Sequence, residues 1–192
     1  MRKLMGCLVA IALVALPQVA LAQRARAASG AKNEIGVDFG AAYNHQGSGC
    51  TADCGSFIAG TPVDVRWGFL ANGPLSFEPR FTFSYFTNGG AGHQLAFDPD
   101  VNVLYRMGQS TARKGLFLTG GLGLRILNQG GGGTTSQTIT QPSINGGLGT
   151  RIPMESNAWR VEGFLRYNFK NTGKGVPSSY DIGARFGMSF WK

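Results

Sequence analysis

Eight of the ten acidic residues in this 192-residue sequence alternate with apolar residues in a two-residue period. In residues 75–85, Phe, Pro and Tyr occupy one set of alternate positions, and Glu78, Arg80 and Thr82 fall between them. Successive side chains of a strand point to opposite faces, so this segment predicts a strand with one apolar and one charged face. The acids are Glu34, Asp38, Asp64, Glu78, Asp98, Asp100, Glu162 and Asp181.

Nine basic residues share the charged face, so the two signs of charge nearly balance. Facing lipid, an Arg or Lys at mid-bilayer would cost roughly 2–4 kcal/mol. Facing the lumen of an eight-stranded barrel, the charges can pair and fill the interior. The pattern predicts a packed ion-pair plug, with a path for protons or small solutes as the alternative. The basic residues are Arg66, Arg80, Arg106, Arg125, Arg151, Arg160, Arg166, Lys170 and Arg185.

Paired carboxylates such as Asp98 and Asp100 have residue types that could serve acid–base chemistry. They stand two residues apart on one predicted strand and therefore share a face. No nucleophile or cleft accompanies them, so catalysis has no support in the sequence. We interpret them as partners of arginine and expect no enzymatic activity and no cofactor.

Two cysteines, Cys50 and Cys54, remain if Cys7 is removed with an export signal. An oxidising compartment favours a disulfide between them. The alternative is a metal site with His45 and Asp53, but zinc sites usually show a second ligand pair at a regular spacing. We predict the Cys50–Cys54 disulfide and no metal site.

Two further features could carry chemistry, but each has a simpler structural interpretation. His93 and Ser84 lie near one predicted rim and could serve lipid hydrolysis, but no motif joins them. The glycine run at residues 130–133 would cradle phosphate only before a helix N-terminus or a P-loop lysine, and neither follows. We predict a loop there.

The first 22 residues have the pattern of a secretory signal peptide. Two basic residues precede an apolar core over residues 4–16, and the small residues Ala20 and Ala22 offer a cleavage site before Gln23. The core is shorter than the about 20 apolar residues of a spanning helix. We therefore predict a signal peptide over 1–22, a short periplasmic tail over 23–33 and one domain over 34–192.

The remaining chain is basic. Removal of Arg2 and Lys3 lowers the 18 basic residues to 16 against 10 acidic ones, a net charge of +6. An excess of basic over acidic residues can indicate a protein that binds nucleic acid. Export and the scattering of charges along strands favour contact with lipid phosphates instead, so we predict no nucleic-acid partner.

The alternation predicts eight strands and no helix. Most of them are long enough for a tilted membrane strand, which needs about 9–11 residues. The strands are predicted at approximately 34–43, 56–70, 75–86, 93–107, 115–128, 138–154, 158–170 and 179–191.

The connections between these strands alternate in character. Short ones fall at 71–74, 108–114 and 155–157, and glycine-rich ones at 44–55, 87–92, 129–137 and 171–178. Outer-membrane barrels have short periplasmic turns and longer outer loops. With the N-terminus in the periplasm, the glycine-rich connections are the predicted outer loops.

Aromatic residues mark both ends of the predicted strands. Amphipathic rings favour the boundary between membrane and water, so two girdles are predicted. Tyr43, Tyr85 and Tyr180 form the outer girdle, and Trp67, Trp159 and Trp191 lie on the periplasmic side. Tyr105 belongs to the same interfacial set.

The signal peptide, the eight strands and the last strand up to Trp191 and Lys192 together resemble the outer-membrane protein beta-barrel family. Small OmpA-like and OmpX-like barrels belong to it. The resemblance covers about residues 34 to 192 and implies an eight-stranded antiparallel up-and-down transmembrane barrel in a Gram-negative-type outer membrane. It implies contact with lipid and lipopolysaccharide, and a terminal strand read by the barrel-assembly machinery. This chain departs from the family in ending on Lys192, not on an aromatic residue.

Members of this family serve in anchoring, adhesion or permeability, so no functional residue carries over. We expect a non-enzymatic barrel with a filled lumen and a structural or surface role through its outer loops, with an unknown extracellular partner. The alternatives are a narrow pore, a lipid-modifying enzyme and a soluble lipocalin-like barrel with its faces reversed. The aromatic girdles and the near-absence of Lys on the charged face favour the membrane.

Overall fold

The computed structural model describes residues 33–47, 54–71, 73–87, 93–131 and 134–192. The predicted signal peptide and nearly all of the predicted tail lie outside these residues, so both stay predictions. Asn33, placed at the end of that tail, is the first residue of the first strand. Within the described residues, no helix has the length and apolar character needed to cross a bilayer.

Eight strands form one closed barrel in which each strand pairs antiparallel with its neighbours in sequence. The first and last strands pair from Glu34 opposite Trp191 to Gln46 opposite Ser179, which closes the sheet. Closure leaves no sheet edge within the wall, as a lipid environment requires. The strands are β1 (Asn33–Gln46), β2 (Gly55–Leu70), β3 (Leu75–Thr87), β4 (His93–Arg106), β5 (Gly115–Gly131), β6 (Thr134–Pro153), β7 (Asn157–Asn168) and β8 (Ser179–Trp191).

The predicted all-β, eight-stranded antiparallel fold is confirmed, and most strand ends fall within three residues of their predicted positions. Both described chain ends lie at one end of the barrel, where the Asn33 amide donates to the carbonyl of Lys192. We call this the terminal end and the other the far end. At the terminal end, the turn between β2 and β3 carries Gly73 at φ 114°, a conformation that glycine adopts without strain.

The predicted loop at 129–137 is wrong. β5 continues to Gly131 and β6 begins at Thr134, so only residues 132–133 connect them. The ladder between the two strands reaches Gly131 opposite Thr134. Backbone pairing across a hairpin needs no apolar alternation, so this sequence has strand structure without the pattern used to predict strands.

The two faces of the sheet have opposite chemistry. Apolar side chains such as Phe77, Phe81 and Val103 are exposed on the outside, and acids and arginines are buried inside. A soluble lipocalin-like barrel would have these faces reversed. The lipocalin alternative is therefore wrong, and the exterior is that of a barrel that spans a membrane.

Glycine lets β8 approach β1 closely on the lumen side. A Cβ atom added at Gly187 would overlap the carbonyl oxygen of Val37 and lie 2.5 Å from Cα of Asp38. Backbone atoms cannot move aside as a flexible side chain can. At Gly163, the nearest atoms to an added Cβ are carbonyl oxygens at 3.9 Å.

We predict that Gly187→Ala lowers the free energy of unfolding by about 1–3 kcal/mol, the usual cost of overpacking. Gly163→Ala is the matched control and should be neutral or stabilising by about 0.5–1 kcal/mol, since alanine restricts the unfolded chain. Urea titration of the protein in lipid vesicles measures both values. Equal stability of the two variants would contradict the close packing of β8 on β1.

Candidate functional site

The predicted charged face lines the lumen. All eight acids of this face are buried, and none exceeds 4% exposure. The eight predicted arginines also occupy inward positions, with Arg125 the most accessible at 14% of its side chain. The strand alternation places them there, because each lies one residue from an outward apolar side chain.

Ten of these residues form one connected set of ion pairs in the terminal half of the barrel, which we call the lower network. It contains equal numbers of carboxylates and guanidiniums, five of each, so its formal charge is zero. Its members are Glu34, Asp38, Asp64, Arg66, Glu78, Arg80, Arg151, Arg160, Glu162 and Arg185.

Arg160 is at the centre of the lower network. Its Nη1 atom lies 2.5 Å from Oε2 of Glu78, and its Nη2 lies 2.8 Å from Oε2 of Glu162. Arg80 bridges the same two acids from the other side, at 2.8 Å and 2.9 Å. Two guanidiniums and two carboxylates therefore close a ring between β3 and β7, across the lumen.

The rest of the lower network surrounds this ring. Arg66 binds Glu34 and donates from Nε to Oδ2 of Asp38 at 2.6 Å. Arg151 donates to the second oxygen of Glu34 at 2.6 Å. Glu34 therefore has an arginine on each oxygen, as a buried carboxylate needs.

A separate set near the far end, which we call the upper network, has three acids and two arginines. Arg166 binds Asp98 at 2.5 Å and also contacts Asp100. Arg125 lies 3.3 Å from Asp98 and also contacts Asp181. Arg166 of β7 reaches Asp98 across the lumen, as Arg125 of β5 reaches Asp181 of β8, whereas Arg125 and Asp98 lie on neighbouring strands.

Polar side chains that the charge pattern did not single out complete both networks. Thr119 donates to Oε1 of Glu162 at 2.9 Å, and the amide of Asn44 donates to Asp181. Asn168 donates to Oδ2 of Asp181 at 3.3 Å. Each occupies an inward position of its strand, which is the sequence signal that would have found them.

Two of the nine basic residues predicted to form ion pairs in the lumen do not do so among the described residues. Arg106 makes no ion pair with any described carboxylate; it donates to Oγ of Ser76 at 2.7 Å and to carbonyls of the β2–β3 turn, including Gly73. It is the last residue of β4, at the terminal end, and the turn carbonyls are its nearest acceptors. Lys170 lies beyond the end of β7 and is exposed, so it is not on the charged face.

The lower network is closed to solvent. The side chains of Arg66, Arg160 and Glu78 are 0–1% exposed. The ring of Phe117 adds apolar packing, with the guanidinium carbons of Arg160 and Arg151 4.5 and 5.1 Å from its centroid. Such contacts between a cation and an aromatic face are favourable where water is excluded.

The interfacial aromatic residues lie on the outside, with one exception. Tyr43, Tyr85, Tyr105, Tyr180 and Trp67 are exposed large side chains. Trp159 stacks on Phe186 on the same surface, with 4.8 Å between ring centroids.

Trp191 is the exception, and its predicted place in the girdle is wrong. It pairs opposite inward-facing Glu34 and follows outward-facing Phe190. Its ring packs against Arg113, 5.2 Å from the guanidinium carbon. Residues directly opposite each other on neighbouring strands share a face, so Trp191 lies at the terminal mouth of the lumen.

The remaining candidates are cysteine, histidine and serine residues towards the far end. The sulfur of Cys54 is in a disulfide, and Cys50 lies outside the described residues, so their pairing stays a prediction. Ser84 is buried and faces inward. The side chain of His93 is not among the described ones, so the predicted His93–Ser84 pair stays untested. His45 stacks between tyrosines, 5.1 Å from Tyr180 by ring centroids. Among the described side chains, no cluster of three or more His, Cys, Asp or Glu residues could hold a metal ion.

A closed eight-stranded barrel with an apolar exterior and a charged interior is the architecture of a small membrane-spanning barrel. Several solved structures are similar to it, of which three are described. Neisserial surface protein A aligns with a TM-score of 0.65 and 13% identity over 83% of this chain and 96% of that chain. Ail, the attachment invasion locus protein of Yersinia pestis, aligns at 0.51 and 12% identity over 84% of this chain and 97% of that chain.

Ail in complex with the heparin analogue sucrose octasulfate also aligns at 0.51 and 12% identity, over 83% of this chain and 96% of that chain. No family model matches the sequence, and no curated protein is similar to it in sequence. At such low identity, the structural likeness is evidence of fold. The chain has the fold of the small outer-membrane barrels, as predicted, and its apolar exterior agrees with an outer-membrane location.

Proposed function

We propose that this chain is a non-conducting, non-enzymatic outer-membrane barrel with a structural or surface role carried by its outer loops. The observation that supports this most is the lower network, which fills the lumen with buried ion pairs of zero formal charge. A solute would have to break several of these pairs at once to pass. A narrow pore is the less favoured function for that reason.

The arrangement of acids also argues against lipid-modifying chemistry. The carboxylates of both networks are held by arginines inside the barrel, where a lipid head group has no access. Ser84, the nucleophile considered above, is on the same inward face. The similar solved barrels named above are a surface protein and an attachment protein, which favours a surface role for this chain as well.

We assign the far end to the cell exterior, because the described chain ends then lie on the periplasmic side. This orientation places the connections at 47–54 and 169–178 outside the cell, the first with the predicted Cys50–Cys54 disulfide. The apolar belt would contact lipid and lipopolysaccharide. We infer that the barrel-assembly machinery reads β8, whose outward residues include Phe186 and Phe190.

We predict that the purified protein gives no steady single-channel current in a planar lipid bilayer. The reason is the burial of the Arg80–Arg160 ring, whose ion pairs a conducted ion would have to break. A conducting porin reconstituted in the same way is the control for insertion and detection. A reproducible unitary current from the folded protein would contradict the proposal and favour the narrow pore.

A further inference from the structure

The turn between β4 and β5 carries a side chain across the terminal mouth of the lumen. In the closed order of eight strands, this turn, residues 107–114, lies opposite the seam at which β8 pairs with β1. Arg113 of the turn nevertheless meets Trp191 of β8, with its guanidinium carbon 5.2 Å from the ring centroid. The two side chains therefore meet over the opening of the barrel. We call Arg113 and Trp191 the mouth pair.

The turn that carries Arg113 is closed by backbone hydrogen bonds. The amide of Met107 donates to the carbonyl of Leu116 at 3.0 Å, and the amide of Thr111 donates to the carbonyl of Lys114 at 2.8 Å. These bonds fix the backbone before any ligand binds. A ligand of the mouth pair would therefore bind with little further loss of conformational entropy.

Each member of the mouth pair has a buried N–H group without an acceptor. Nε of Arg113 and Nε1 of Trp191 are both buried, and neither has a hydrogen-bond partner among the described residues. A buried donor that is left unpaired costs free energy, and an indole N–H usually finds an acceptor when it is buried. Two such donors in one contact indicate a site that an acceptor from outside the described chain completes.

The charge around the terminal mouth favours an anion as that acceptor. Arg113 forms no ion pair with a described carboxylate, and neither does Arg106, whose guanidinium binds the β2–β3 turn at the same end. Lys114 and Lys192 add two more cations at this end. Against these four cations, the described residues of the terminal end place one acid outside the lumen, the exposed Glu155.

The segment that precedes β1 in the sequence is a poor source of the anion. Residues 23–32 contain Arg24, Arg26 and Lys32 and no acidic residue. Like charges repel, so this segment and the arginines of the mouth disfavour each other. An anion from another molecule is the better occupant.

A small oxyanion fits the mouth pair. Hydrogen bonds from charged N–H donors to anionic oxygens are about 2.7–2.9 Å long. With 5.2 Å between the guanidinium carbon and the ring centroid, one tetrahedral group of the size of phosphate can accept from both donors. Arginine suits phosphate in particular, because its planar fork of donors matches the spacing of the phosphate oxygens.

We propose that the mouth pair binds a phosphate group, with Nε of Arg113 and Nε1 of Trp191 as donors. Free phosphate and the headgroup of an anionic phospholipid present the same oxygens to these donors. The site lies at the opposite end of the barrel from the outer loops, so it goes beyond the proposed surface role and does not depend on it.

The test follows the indole N–H signals of the full protein by NMR, in nanodiscs of zwitterionic lipid. The sequence has three tryptophans, of which Trp67 and Trp159 lie on the outer surface and are internal controls. We expect inorganic phosphate, added at constant ionic strength, to shift the Trp191 signal saturably and to leave the other two unchanged. Trp191→Phe removes one signal and so assigns it.

Arg113→Met removes the guanidinium and should weaken phosphate binding by about tenfold or more, the effect of losing one charge-assisted hydrogen bond. Lys114→Met removes an equal charge from the same turn and should weaken binding by about twofold or less, because exposed charges are screened. Unheated gel mobility checks that each variant is folded. Arg113→Lys keeps the charge but lacks the Nε donor, and it replaces Arg113→Met if that variant does not fold.

Nanodiscs that contain phosphatidylglycerol separate the two sources of phosphate. If the lipid headgroup occupies the mouth, the Trp191 signal is already shifted in these discs, and Arg113→Met reverses the shift. If free phosphate is the ligand, the signal moves only when phosphate is added. Either result supports the site. A Trp191 signal that responds to neither source, or that responds equally in the Arg113 and Lys114 variants, would overturn the proposal.

Discussion

Replacing Arg160 with methionine is expected to lower the free energy of unfolding by about 3–5 kcal/mol, the cost of breaking a buried ion pair from one side. Arg160 touches Glu78 and Glu162 at 2.5 and 2.8 Å in a space closed to water. Its loss leaves the lower network with one carboxylate more than it has guanidiniums. Methionine keeps most of the volume, so the loss of charge accounts for most of the change.

Two control variants isolate the charge effect. Lys174→Met removes an exposed cation from the last far-end connection and should change stability by less than about 0.5 kcal/mol. The double variant Arg160→Met/Glu78→Gln restores neutrality and should recover part of the loss. Denaturant titration in lipid vesicles gives all three values. A cost below about 1 kcal/mol for Arg160→Met would show that water reaches the network after all.

Replacing Val101 with arginine is the second change with a large expected effect, about 2–4 kcal/mol of lost stability. Val101 faces outward between Pro79 of β3 and Leu122 of β5. It lies five residues from the terminal end of β4, near the middle of the apolar belt. A guanidinium there would have to lie in hydrocarbon or distort the bilayer.

Tyr105→Arg is the matched control, on the same strand and the same face. Tyr105 is one residue from the end of β4, so an arginine there can reach the interface, at a cost of about 0–1 kcal/mol. The two substitutions differ mainly in depth. Equal stability of the two variants in vesicles would contradict the position of the membrane on this barrel.

Strand number and strand position were predictable from the sequence because the apolar belt imposes a local, two-residue rule. Each strand that crosses hydrocarbon must alternate its faces, and the alternation ends where the chain leaves the membrane. β8 was predicted at its observed bounds, and β3 was predicted within one residue.

The same rule explains the error at the β5–β6 hairpin. Residues 129–137 consist of Gly, Thr, Ser and Gln only, so they have no apolar alternation. They are strands because they pair with each other across residues 132–133, and pairing between segments is not visible in a local pattern.

Alternation also determined which residues enter the lumen, since every predicted acid and nearly every predicted base lies there. It could not determine their partners. Several directly opposed pairs carry like charges, among them Asp38 with Asp64, Arg66 with Arg80 and Arg151 with Arg160. Such neighbours repel. Their compensation comes from diagonal neighbours on the adjacent strand, as for Arg66 and Asp38, and from strands across the lumen, as for Arg80 and Glu162.

The sequence by itself therefore determined a barrel with an apolar outside and a charged inside, because both follow from the direction of successive side chains. Only the closed tertiary structure decided that Arg160 meets Glu78, that Arg106 binds a turn instead of an acid, and that Trp191 faces inward. These outcomes depend on register, on the depth of each residue and on strands brought opposite each other by closure. None of those quantities is a property of a single strand.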